Sequence, residues 1–188
     1  MFRLINFYRK YNSGRHYTLH IVYLLIFLWA VSYVSFEYFI PVFLESKLGN
    51  LAYVGLMLSL PSIIGIFLDI YFGHLQTKAS MKILFFSALS LFFCAGVFIL
   101  FGGEYVPFMI LGMMFYGVGF DFFDITAYTS VFDNSTKKES STNLAVRDVF
   151  ECVGLMIGAV LAGYVLSESG MGLLYLFIGV VVFTIVLS

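Results

Sequence analysis

Charged side chains interrupt the long apolar stretches of this 188-residue sequence at only a few positions. Each is costly if the stretch crosses a bilayer, because a charge near the centre of a membrane helix costs roughly 2.5–3.5 kcal/mol on insertion scales. Such residues persist where they face a bundle interior or a wet cavity, and there they serve ions, protons or polar solutes. We therefore predict a substrate and proton pathway lined by five of the charged residues in or beside these stretches, namely Glu37, Asp121, Asp124, Arg147 and Glu151.

The spacing of these residues predicts how they meet. Asp121 and Asp124 are three residues apart, so they share one face of a helix. Arg147 and Glu151 are four residues apart and share a face in the same way. If the fourth and fifth helices are antiparallel neighbours, Arg147 also reaches Asp124. A carboxylate in such a cluster holds its proton when desolvated and releases it when paired or wetted, which makes a proton switch.

Structural roles stay open for each of these residues. Glu37 can instead reach the outer membrane interface. Asp121 and Asp124 can cap or pair locally within their own helix or with a neighbouring one. The ion pair between Arg147 and Glu151 can serve only to bring the start of the fifth helix into the membrane.

Composition places the elements that carry these residues in a membrane. The chain is 61% hydrophobic and 11% charged, with a mean hydropathy of +0.98, whereas soluble domains are about 25% charged. A net charge of -1 gives no indication of nucleic-acid binding. The two cysteines lack metal-binding or disulfide spacing, and no hydrolase, metalloprotease or phosphate-loop motif is present, so we predict no enzyme, no metal and no cofactor.

Six apolar runs are long enough to cross a bilayer, which needs about 20 residues per helix. They lack the alternation of membrane β-strands, so we predict an all-α bundle over residues 19–187, preceded by a cytoplasmic or interfacial segment, 1–18. The predicted spans are 19–43, 51–73, 83–101, 106–130, 144–166 and 171–187.

The basic residues predict the orientation of the spans. All but one of the ten Lys and Arg residues lie before the first span or in and around the loops that follow the second and fourth spans, and Lys47 is the exception. Because Lys and Arg stay on the cytoplasmic side, both termini are predicted to be cytoplasmic. We expect a multi-pass protein of the cell membrane, which is the inner membrane if the source is bacterial.

The loop between the second and third spans resembles the loop signature of the major facilitator superfamily, G-x-x-x-D-[RK]-x-G-x-[RK]. In the segment GHLQTKASMK, Gly73, Lys78 and Lys82 occupy the glycine and basic places. Thr77 stands where the family has the acid, and Ser80 where it has the second glycine.

The fifth span carries a second likeness to this family. The segment GLMIGAVLAG is similar to the antiporter pattern G-x-x-x-G-P-x-x-G-G at Gly154, Gly158 and Gly163. Small residues at this spacing also serve any tightly packed helix pair in lipid, and that helix-packing interpretation stays open.

The resemblance covers the whole chain and implies the N-terminal six-helix half of such a transporter, built as a 3+3 inverted repeat. It also implies a cytoplasmic gate, in which loop lysines pair with acids at nearby helix ends. The gate residues would be Asp69, Gly73, Lys78, Lys82 and Asp133. The sequence stops at the end of the sixth span, so we expect a fragment whose missing C-terminal half, or a second copy, completes the pathway.

The resulting prediction is a secondary transporter that moves a small solute by alternating access, coupled to protons. Export of a drug-like or cationic compound is preferred, because the charge inside the membrane is mainly acidic and because of the glycine pattern. The partners are a small-molecule substrate, protons and the lipid bilayer. The alternatives are a sugar or organic-acid uptake carrier of the same family and a six-helix membrane scaffold or assembly subunit that transports nothing.

Overall fold

The computed structural model describes the backbone of residues 2–76, 80–102, 105–168 and 170–187, and the side chains of residues 18–67, 80–102, 105–165, 172 and 174–186. Within these ranges the chain forms six α-helices and no strand, so the prediction of an all-α protein is confirmed. The helices are α1 (Phe2–Leu48), α2 (Leu51–Gln76), α3 (Met81–Phe101), α4 (Val106–Asp133), α5 (Ser140–Glu168) and α6 (Gly170–Leu187).

Three helices of the described part are long and apolar enough to cross a membrane. They contain the segments Thr18–Leu48, Met81–Phe101 and Val106–Asp133. The described apolar parts of α2 and α6 are shorter, and they cover Leu51–Phe67 and Leu174–Val186. Membrane crossing by α2, α5 and α6 therefore stays a prediction, as does the interfacial role of the first 18 residues.

Helix pairing places α1 and α4 at the centre of the bundle. Helix α1 packs against α5 and α6, α4 packs against α2 and α3, and α3 also contacts α6. The core between them combines aliphatic side chains with aromatic rings from four helices. The largest fully buried side chains include Trp29, Phe36, Phe92, Phe123 and Phe177. Trp29 stacks on Phe123 with ring centroids 4.7 Å apart, which joins α1 directly to α4.

The connection between α1 and α2 is a two-residue turn that sets these helices side by side. Gly49 has a φ of +62°, a left-handed conformation that suits glycine, and its backbone N–H donates to the Glu45 carbonyl at 3.0 Å. The Asn50 side chain then accepts from the Ala52 backbone N–H at 2.9 Å and caps α2.

Helices α2 and α4 approach each other closely at a proline and a glycine. A Cβ added to Gly117 would lie only 2.5 Å from the Cα of Pro61, so the two backbones meet without a side chain between them. Pro61 lies inside α2, where a proline removes one backbone hydrogen bond. This contact holds α2 beside α4 at the level of the site described next.

Candidate functional site

A cavity of about 390 Å³ lies between α1, α2 and α4, and we call it the central cavity. Its lining combines two carboxylates, Glu37 and Asp121, with aromatic rings from α1 and α4. Pro61 and Gly117, the contact point of α2 and α4, form part of its wall. The four aromatic residues that line it are Tyr33, Phe36, Tyr116 and Phe120.

The aromatic side of the cavity positions Glu37. The hydroxyl of Tyr116 donates to Glu37 Oε1 at 3.4 Å, across from α4 to α1. The Tyr116 ring is buried, with its centroid 4.4 Å from that of Phe36 and its plane nearly parallel to the ring of Tyr33, at 6.2 Å. Because packing fixes this ring, its hydroxyl is a pre-oriented donor for the more exposed carboxylate.

Asp121 takes its position from the absence of a side chain on α2. Its carboxylate lies directly over Gly65, and a Cβ added to Gly65 would collide with the Oδ2 atom of Asp121. Any larger residue at this position would displace the carboxylate. The small residue on α2 therefore allows the acid on α4 to occupy the cavity wall.

A second acidic centre lies one helical turn further along α4, and we call it the arginine cluster. The buried guanidinium of Arg147 pairs with Asp124 on α4, with Asp148 at 2.8 Å and with Glu151 at 3.1 Å. One cation thus serves three carboxylates, so the cluster is acidic overall when all of them are ionised. The Nε atom of Arg147 is buried and has no hydrogen-bond partner among the described residues.

The structure brings together the residues predicted for this cluster. Asp124, Arg147 and Glu151 form one contiguous group, with α4 and α5 side by side as the prediction required. Asp121 is three residues from Asp124, a rise of roughly 4.5 Å along α4, so the two acidic centres are neighbours. Among the described side chains, no group of three His, Cys, Asp or Glu residues is suited to hold a metal ion.

The predicted cytoplasmic gate falls only partly within the described side chains. Lys82 and Asp133 are exposed at the start of α3 and the end of α4. The side chains of Asp69 and Lys78, and the surroundings of Gly73, lie outside the described residues. Pairing across the gate therefore stays a prediction.

The glycines of the fifth span have different surroundings. Gly154 and Gly158 lie against α1, where added Cβ atoms would be 2.6 Å from the Phe27 carbonyl oxygen and 2.9 Å from the Val31 Cα. Gly163 has no described atom within 4 Å of such a Cβ. Two of the three glycines thus bring α5 onto α1, and the third faces open space.

Several residues of these two centres were not predicted as site residues, and they include Asp148, Tyr33, Tyr116 and Phe120. Asp148 is adjacent to Arg147 in sequence, and neighbouring residues point to different helix faces, but the long arginine side chain spans that gap. Tyr33 could have been found from its spacing of i, i+4 to Glu37 on α1. Tyr116 and Phe120 are also four residues apart, but no charge marks them out in the sequence.

Comparison with known proteins gives one match. No curated protein and no solved structure matches the chain significantly. The family model described as Major Facilitator Superfamily matches residues 22–188, which includes every described helix apart from the beginning of α1. The predicted membership of this family is thereby confirmed. The chain is a membrane protein and belongs to the major facilitator superfamily, a family of transporters.

Proposed function

We propose that this protein moves a small solute across the membrane by alternating access and that the central cavity binds the solute. The observation that carries this proposal is the pair of carboxylates, Glu37 and Asp121, in one aromatic-lined cavity of about 390 Å³ between three helices. A volume of this order suits a small organic molecule. The cavity also joins the two central helices, so a solute bound there contacts both.

The charge of the cavity favours a cationic solute. The described residues that line it include two acids and no Lys, Arg or His. Among its aromatic rings, those of Tyr33 and Phe120 are partly exposed and can contact an organic cation, an arrangement worth about 0.5–2 kcal/mol per contact. Export of a drug-like cation is the direction that the glycine pattern of α5 favours, and it forms part of the proposal.

The arginine cluster is the proposed site of proton coupling. One guanidinium is shared by three carboxylates, so it binds each of them less tightly than it would bind a single partner. A proton can therefore displace the guanidinium from one of these acids. Protonation of Asp124 or Glu151 would then free Arg147 to change partners. A change of partner in a two-state carrier needs only a few kcal/mol to shift the balance between the states.

The pairing of the helices supports the proposed 3+3 inverted repeat. A 3+3 repeat would make α1 equivalent to α4, α2 to α5 and α3 to α6. Under this equivalence the α1–α5 contact corresponds to α4–α2, and the α1–α6 contact corresponds to α4–α3. Both α4–α2 and α4–α3 are main contacts of the bundle, and the α3–α6 contact maps onto itself. Inverted repeats of this kind place substrate sites near the membrane midplane between the repeats.

The remaining parts of the proposal concern the complete assembly. We propose six spans with both termini in the cytoplasm, and a cytoplasmic gate formed by the loop between α2 and α3. A second six-helix unit, either a C-terminal half or a second copy, would supply the other wall of the pathway.

Proton movement in vesicles tests the proposal. The full-length protein is reconstituted with an internal pH dye, and a panel of organic cations, sugars and organic acids is added. We expect a cation-dependent pH change that Glu37→Gln and Asp124→Asn abolish. The matched control is Glu45→Gln, because Glu45 is an exposed acid on α1 that does not line the cavity.

Two results would contradict the proposal. Sugar- or acid-dependent proton uptake would indicate a carrier of the other class. A folded, correctly oriented protein that stays silent with the whole panel would favour a scaffold.

A further inference from the structure

Lys47 is the one basic residue that the sequence predicts on the outer side of the membrane, and its surroundings are distinctive. It lies in the last turn of α1 with an exposed side chain. Within the described part of the chain it makes no ion pair. Glu45, two positions earlier, points to a different side of the helix.

An open groove of about 680 Å³ lies beside Lys47, where α1 and α3 end and α4 begins. Apart from Lys47, the described residues that line it are apolar or aromatic. The Phe98 and Phe108 rings stack with centroids 6.0 Å apart, and Tyr105 meets Phe108 edge to face at 6.2 Å. Phe101 and Tyr105 are 68% and 60% exposed, so their faces are available to a ligand.

We propose that this groove binds an anionic phospholipid, with an acyl chain against the aromatic wall and the headgroup phosphate on the Lys47 ammonium. Three features support this occupant. The groove opens at an end of the bundle, where tyrosine and lysine lie at headgroup level in membrane proteins. Its wall is apolar, which suits a hydrocarbon chain. Among its described lining residues, the one charge is positive and there is no carboxylate.

The proposal goes beyond transport, because the groove is separate from the central cavity. The two share no lining residue. The groove does contact both central helices at their ends, through Lys47 on α1 and through Tyr105 and Phe108 beside and within α4. A bound lipid would therefore bridge the two central helices.

Lipid binding to the purified full-length protein tests the proposal. The protein in detergent is titrated with phosphatidylglycerol or phosphatidylcholine, and bound lipids are counted by native mass spectrometry. We expect Lys47→Gln to weaken phosphatidylglycerol binding about fivefold, the effect of one basic residue near an anionic headgroup, and to leave phosphatidylcholine unchanged. Lys138→Gln is the matched control, because Lys138 is an exposed lysine between α4 and α5 that does not line the groove.

A second variant tests the apolar wall. Phe101→Ala removes an exposed ring, so the fold should be retained, and binding of both lipids should weaken. Equal phosphatidylglycerol binding by the wild type and Lys47→Gln would overturn the proposal. Competition between inorganic phosphate and phosphatidylglycerol would also overturn the proposal, since it would indicate a site for free anions. An equal loss of thermal stability for Lys47→Gln in phosphatidylglycerol and in phosphatidylcholine would also overturn the proposal. In that case Lys47 would act only as a favourable positive charge at the C-terminus of α1.

Discussion

The contact between α5 and α1 leads to a prediction for Gly158, and Gly163 on the same helix provides the control. Gly158→Ala adds one methyl group where α1 leaves no room for it. The new Cβ would lie 2.9 Å from both the Cα and the carbonyl oxygen of Val31, and closer still to a methyl of Val34. Ordinary contacts of this kind are 3.4–4 Å, so α1 and α5 must move apart.

The expected size follows from comparison with Gly163→Ala. Both substitutions gain the same helix propensity, about 1 kcal/mol for alanine over glycine. Only Gly158→Ala adds overpacking, which typically costs about 1–3 kcal/mol. The difference between the two variants is therefore the overpacking term alone. For a chain of this length, about 2–4 °C per kcal/mol makes Gly158→Ala roughly 2–12 °C lower in Tm than Gly163→Ala.

Thermal unfolding of the two variants in the same detergent measures this difference. A third variant, Gly158→Ala with Val34→Ala, should recover part of the loss, because it removes the side-chain clash and leaves the backbone clash with Val31. Equal Tm values for Gly158→Ala and Gly163→Ala would refute the close approach of α5 and α1 at this position.

Three further predictions concern the acidic centres. Arg147→Gln leaves three partly exposed acids without their cation and should destabilise the fold by about 1–3 kcal/mol in denaturant unfolding, the range for hydrogen bonds to charged groups. Adding Asp124→Asn should partly reverse this loss, and strictly additive effects would rule out the pairing of Arg147 with Asp124. Gly65→Ala should displace the Asp121 carboxylate, so the transport KM should rise while Tm changes little. An unchanged KM would show that Asp121 does not contact the solute. Tyr116→Phe removes a hydroxyl worth about 0.5–1.5 kcal/mol, so solute affinity should fall about two- to tenfold, and unchanged affinity would exclude that hydrogen bond from binding.

The arginine cluster was predictable from sequence because local spacing carries most of it. A separation of four residues puts Arg147 and Glu151 on one face whatever the tertiary structure. Asp124 required one more assumption, that consecutive helices in a membrane lie antiparallel and adjacent. The contact with Asp148 depends on the rotamer of a long side chain, which spacing does not determine.

The central cavity was only half predictable, because it depends on how each helix is rotated about its axis. The acids Glu37 and Asp121 stand out as charges in apolar runs. The hydrogen bond from Tyr116 to Glu37 joins residues 79 positions apart, and no periodicity predicts the rotation that brings them together. The same limit explains Gly163, which fits the glycine pattern of α5 but has no described atom within 4 Å of an added Cβ.

The contact between Pro61 and Gly117 has a mechanical consequence. Helices that interlock through long side chains must lift over one another to move, whereas a proline ring against a bare glycine offers no such obstacle. We therefore expect any tilt of α2 on α4 to turn about this contact. A tilt of about 5° would carry a helix end ten residues away, roughly 15 Å, by about 1.3 Å. Since Pro61 and Gly117 line the cavity, such a tilt would move the two ends of α2 in opposite directions while the middle of the cavity keeps its width.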